Sequence, residues 1–146
     1  MARQRAERQI VISGSPQRCF ETAVDYERFP DWMRAVRRCR VISRDQRNRG
    51  ERVEFEIGAR LKTLSYTIDY SYEEPHLVTW RYVDGDIRDV DGELVLEDTG
   101  EGTTLATYAL RIDPGRWVPP RVSDLLSNEV MLGVLEDLKK RVEAPA

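Results

Sequence analysis

The sequence predicts an α+β fold: a seven-stranded curved antiparallel sheet wrapped around a long C-terminal helix, with one or two short helices after the first strand. Three observations lead there. Seven stretches carry strand-type alternation or β-branched runs, tight turn signals separate nearly all of the later ones, and a helical periodicity closes the chain.

The first strand covers Glu7 to Ser13, around Ile10, Val11 and Ile12. Ser15 then caps a helix. Pro16 takes its first position, where a missing N–H is no loss, and Cys19, Phe20, Ala23 and Val24 share one face as far as Asp25. Tyr26 to Met33 contains Phe29, Pro30 and Trp32. It is too apolar for a free loop and too broken by proline for a continuous helix, so it reads as a second short helical turn packed on the first.

Six strands follow: Val36 to Ser43, Arg52 to Ala59, Leu64 to Glu73, Leu77 to Val83, Val90 to Glu97 and Thr103 to Ile112. Asn48-Arg49-Gly50, Glu74-Pro75-His76, Asp84-Gly85-Asp86 and Thr99-Gly100-Glu101-Gly102 are short connections, so neighbours in sequence pair antiparallel as a meander. Asp113 to Pro120 crosses over to the last helix as a loop, because its prolines remove backbone donors. In the closing helix, Val122, Leu125, Leu126, Val130, Val134, Leu138 and Val142 form one apolar face, while Glu129, Glu136, Asp137, Lys139, Lys140 and Arg141 are assigned to the solvated side. About 21 residues at roughly 1.5 Å each give a rod of about 31 Å, long enough to lie along a whole sheet.

A chain of 146 residues is the size of one domain, expected here over residues 1–146. No apolar run approaches a membrane span, and residues 1–12 mix Arg, Glu and Gln where a signal peptide needs an apolar stretch, so a cytoplasmic location is expected. Cys19 and Cys39 have no companion spacing for a metal and read as buried free thiols. A net charge of −3 argues against DNA binding, although residues 34–52 hold eight arginines and residues 84–101 eight carboxylates. Charged strand edges that discourage aggregation explain that segregation as well as a docking patch does.

Alternation assigns the faces. Leu64, Tyr66, Ile68, Tyr70 and Tyr72 point one way and Ser65, Thr67, Asp69, Ser71 and Glu73 the other. Val53, Phe55 and Ile57, then Val78, Trp80 and Tyr82, then Leu94 and Leu96, and finally Tyr108, Leu110 and Ile112 extend the apolar face, whereas Leu105 falls outside it. One helix is a narrow cover for so wide an aromatic surface. Either the sheet packs solidly on it, or a cavity remains in which a small apolar molecule fits.

The order of elements, Ser15-Pro16 opening the first helix, the run Val24-Asp25-Tyr26-Glu27-Arg28-Phe29-Pro30-Asp31-Trp32, Asp84-Gly85-Asp86 before Gly92-Glu93-Leu94, and Gly102-Thr103-Thr104-Leu105 together resemble the START-like helix-grip superfamily, in its polyketide cyclase/dehydrase and coenzyme Q-binding-like (SRPBCC) branch. The resemblance spans about Arg5 to Glu143. It implies a cavity between sheet and C-terminal helix that holds a lipid, quinone or polyketide-like molecule.

The expected ligand-binding residues are Phe29, Trp32, Phe55, Tyr66, Tyr70, Trp80, Tyr82, Leu94, Tyr108, Trp117, Leu126 and Val130. Trp117, with Phe29 and Trp32, either gates the cavity or packs on the core. The inward set contains no carboxylate and no histidine, and Glu54, Glu56, Asp69 and Glu93 point outward, so no catalytic residue is assigned. A phenol is a good donor and a poor base at neutral pH. His76 sits in a turn, and the carboxylates at Asp84, Asp86, Asp89 and Asp91 fail the calcium-loop pattern at Arg88 and Val95, so neither a metal nor a cofactor is expected. Binding or carriage of a hydrophobic ligand is the preferred function. A polyketide cyclase, aromatase or dehydratase using cavity tyrosines is one alternative, and a ribosome- or RNA-associated regulator acting through Arg34 to Arg52 is another. A homodimer stays open.

Overall fold

Strand alternation along the chain resolves into one antiparallel sheet of seven strands in the order β1-β7-β6-β5-β4-β3-β2. The computed structural model describes residues 4–59, 62–113 and 133–145. The strands are β1 (Gln4–Ser13), β2 (Val36–Arg44), β3 (Gly50–Ala59), β4 (Lys62–Glu73), β5 (Leu77–Gly85), β6 (Asp89–Asp98) and β7 (Thr103–Asp113). From β2 to β7 the sheet is the predicted meander, and β1 returns to pair with β7. Register shifts in the β2–β3 and β4–β5 ladders interrupt regular pairing and bend the strands, which helps the sheet to curl.

Ser15 caps α1 (Pro16–Ala23) as its side chain accepts from the Arg18 N–H, and a 3-10 turn, Tyr26–Arg28, leads into α2 (Phe29–Trp32). The first hairpin differs from expectation. Its turn is built on Asp45, whose carboxylate accepts from the N–H groups of Arg47 and Arg49, and Gly50 already belongs to β3. Asn48 takes the left-handed conformation there. β1 starts three residues earlier than predicted, at Gln4.

Helix α3 is described over 133–143 and buries Leu135, Leu138 and Val142 against the sheet. Val122, Leu125, Leu126 and Val130 lie outside the described residues, as do Trp117 and the crossing loop from Pro114. At its C-terminal end Lys139 Nζ donates to the carbonyl of Val11 at 2.7 Å and to Glu143 at 2.7 Å, and Glu143 accepts from the Ser13 N–H. The Lys139 ammonium and that N–H hold the Glu143 carboxyl below its ordinary range.

Asp137 corrects the sequence assignment, for it is buried and not on a solvated face. About 100° of helical rotation carries it off the sheet-facing stripe, but that flank is covered by the segment between α2 and β2. The Arg34 N–H and Nε donate to its two carboxylate oxygens at 2.9 and 3.0 Å.

Packing divides the interior in two. At one end of the sheet, near α1, Ile12, Cys19, Phe20, Val53, Leu96 and Ala106 are wholly inaccessible. The other end, toward α2 and the first described turns of α3, contains a chamber.

Candidate functional site

The chamber has a volume of about 130 Å³. Its walls come from β3 (Phe55, Ile57), β4 (Leu64, Tyr66, Ile68, Tyr70), β5 (Val78, Trp80), β6 (Val90, Leu94) and β7 (Tyr108, Leu110, Ile112). Tyr26, Phe29, Trp32 and Met33 close one side and Val134, Leu135 and Leu138 of α3 lie across the top, with Ile87 between β5 and β6. An apolar cavity of similar volume, about 150 Å³, accepts benzene in another protein. The chamber therefore suits a molecule of about one ring.

Eight of the residues expected at the site line it: Phe29, Trp32, Phe55, Tyr66, Tyr70, Trp80, Leu94 and Tyr108. Tyr82, also expected there, is not among the lining residues but packs against the core beside them. It pairs in register with the lining residue Ile68, just before the β4–β5 register shift, and its hydroxyl donates to the Ile87 carbonyl at 2.6 Å in the β5–β6 connection. Trp117, Leu126 and Val130 fall outside the described residues. Tyr26, Met33 and Ile87 were missed. Tyr26 stood in a segment read only as packing, and Ile87 was concealed as a lone apolar residue in an acidic run, where period-2 alternation gives no signal.

A belt of rings runs across the wall. Centroid separations are 5.8 Å for Phe55–Tyr66, 6.3 Å for Phe55–Tyr70, 6.1 Å for Tyr70–Trp80 and 5.3 Å for Trp80–Tyr108, within the range of favourable aromatic contacts. Gly92 positions Trp80. The two are register partners, and a Cβ at 92 would come within 2.7 Å of the indole and collide with the Ala109 carbonyl. Gly92→Ala is expected to cost about 1–3 kcal/mol through this overpacking and to shift the tryptophan emission. Chemical denaturation followed by fluorescence measures both.

The cavity tyrosines fall into two groups. Tyr26 donates to the Tyr72 hydroxyl at 2.7 Å, and Tyr72 donates to the carbonyl of Gly50, so that chain is satisfied. No hydrogen bond joins the hydroxyls of Tyr66, Tyr70 and Tyr108 to another described residue, and since no fully buried polar side-chain atom lacks a partner, each of them keeps accessible surface. The three side chains are half-buried and line the chamber. Burial pushes their phenols well above the ordinary tyrosine range, reinforced by the neighbouring phenols for Tyr70 and Tyr108 and by Cys39 for Tyr66. They remain protonated at neutral pH, as donors.

Other candidates carry less chemistry. Cys19 is buried, whereas Cys39 is only half-buried, against expectation; burial pushes its thiol up to about 12, a poor nucleophile at neutral pH. His76 is exposed in its turn, with Nδ1 3.0 Å from the Leu96 carbonyl. Among the described residues no group of His, Cys, Asp and Glu is placed to hold a metal, and no helix is long and apolar enough to cross a membrane. The Arg-rich stretch is largely neutralised in place: Arg34 pairs with Asp137, Arg40 with Glu54, Arg44 with Glu27, Arg49 with Glu74 and Arg52 with Asp69.

Solved structures share this arrangement. A START superfamily protein from Mycobacterium smegmatis superposes with a TM-score of 0.87 at 17% identity, covering 97% of this chain and 98% of that one. A protein from Thermus thermophilus gives 0.85 at 19% identity, covering 97% and 98%. The Zhui aromatase/cyclase from a Streptomyces species gives 0.84 at 11% identity, covering 97% and 94%. At these identities the likeness shows the fold, the START-like helix grip. A search of curated proteins gave no match. The family model described as polyketide cyclase/dehydrase and lipid transport matches residues 3–143, nearly the whole chain, and the protein belongs to that family.

Proposed function

We propose that the protein binds and carries a small, predominantly apolar molecule in the chamber between sheet and α3 without transforming it. One observation carries this reading. The only ionisable side chains lining the chamber among the described residues are phenols, and those of Tyr26, Tyr66, Tyr70 and Tyr108 are all pushed upward by burial. General acid–base catalysis works best with a group that titrates near the working pH, and these are far from it. The same wall is well made for holding, since it combines an aromatic surface with a few polar tips.

Titrating the protein with ethylbenzene tests the reading, because this probe matches the size of the chamber and has no reactive group. The expected outcome is saturable binding at about one molecule per chain, with a raised melting temperature and altered Trp80 emission. No saturable binding overturns it. For the catalytic half of the claim, aromatic polyketide mimics incubated with the protein should be recovered unchanged. Cyclisation or dehydration that falls by roughly 10²–10⁴ in Tyr70→Phe, with binding preserved, would instead establish a cyclase with Tyr70 as general acid.

A further inference from the structure

Three hydroxyl donors stand in one wall of the chamber with no acceptor among the described residues. Tyr66 and Tyr70 are on the same face of β4, and Tyr108 is on β7, brought near them across Trp80. Tyrosines in and around the chamber are otherwise matched: Tyr26 to Tyr72, Tyr72 to Gly50 and Tyr82 to Ile87. An unpaired hydroxyl is costly only where water cannot reach it, and among the described residues no fully buried polar side-chain atom lacks a partner. In an empty chamber such hydroxyls are hydrated. A ligand that displaces this water retains the full benefit of burial only if it supplies an acceptor in exchange.

Charge narrows the class further. No Lys, Arg or His lines the chamber among the described residues, so an anion would enter without a counter-charge and lose its hydration. The described arginines next to lining residues in sequence are engaged or turned outward: Arg28 pairs with Asp25, Arg34 with Asp137, Arg88 with Asp113 and Arg111 with Asp91, while Arg37 and Arg81 are exposed. The phenols, kept protonated by burial, present donors and not bases.

Resting on the carrier reading above, we infer that the chamber selects uncharged ligands bearing a carbonyl oxygen, which accepts from a hydroxyl among those of Tyr66, Tyr70 and Tyr108, and that it rejects carboxylates of the same size. A ketone-bearing ring fits this description; a fatty-acid or aromatic carboxylate does not.

The test compares acetophenone, ethylbenzene and benzoate, which share one ring and differ in the two-carbon or carboxylate substituent. Affinities are measured by calorimetry at neutral pH on the full chain, and again on the triple variant Tyr66→Phe/Tyr70→Phe/Tyr108→Phe. Removing three hydroxyls from an apolar wall leaves its shape intact, and thermal melting verifies the fold. Acetophenone is expected to bind about 2- to 12-fold more tightly than ethylbenzene, the equivalent of one net hydrogen bond. Benzoate should bind weakest, and the preference for acetophenone should vanish in the triple variant, which binds ethylbenzene no worse. Ethylbenzene matching or exceeding acetophenone overturns the carbonyl inference alone, as does a preference that survives in the variant or benzoate binding tightest. Failure of all three probes overturns the carrier reading with it.

Discussion

Leu138→Asp is expected to abolish folding, while Lys140→Ala, two residues away, leaves stability nearly unchanged. Leu138 is only 2% exposed and belongs to both the core and the chamber lining. A carboxylate there has no basic partner on the sheet face it meets, and burying it costs several kcal/mol, a large share of the roughly 5–15 kcal/mol that holds a domain together. Lys140 is exposed on the opposite side of α3. Circular dichroism melts of the two variants measure the contrast. Equal melting temperatures would mean that α3 does not present Leu138 to the sheet.

Elements whose periodicity is continuous were the ones legible in the sequence. β4, with Leu64, Tyr66, Ile68, Tyr70 and Tyr72 strictly alternating, placed the aromatic wall correctly because a two-residue period leaves no ambiguity about which side faces in. The helix start at Ser15-Pro16 was legible because capping is a local hydrogen-bond requirement. Asp137 was not, since its burial depends on Arg34 arriving from a segment about a hundred residues away, and a charged residue on a helix flank looks solvated until its partner is known. Tyr82 was half legible: it pairs with the lining residue Ile68 and shares its inward face, as alternation requires, but its hydroxyl goes to the Ile87 carbonyl in the β5–β6 connection, which alternation within β5 cannot show. The chamber itself was only half legible, because rings that pack a core and rings that line a cavity have the same sequence pattern.

Two leucines on β6 separate the solid half of the interior from the hollow half. Leu94 and Leu96 lie two residues apart on the same face of the same strand; Leu96 is wholly inaccessible, while Leu94 borders the chamber. Truncation costs the transfer free energy of the lost methyl groups plus a contribution from the new void, and the measured range for leucine is about 2.7–5.0 kcal/mol. Leu96→Ala opens a void where every neighbour was in contact, so it is expected near the upper end of that range. Leu94 already has empty space on one side and makes fewer contacts to lose, so Leu94→Ala is expected near the lower end. The ligand response should reverse that order. Leu94→Ala enlarges the chamber and should admit a two-ring probe such as 2-acetylnaphthalene more readily than the wild type does, whereas Leu96→Ala should leave the selection by size unchanged. Urea denaturation and calorimetric titration of both variants provide the measurement. Equal destabilisation, together with an unchanged size limit in Leu94→Ala, would show that the chamber does not reach β6.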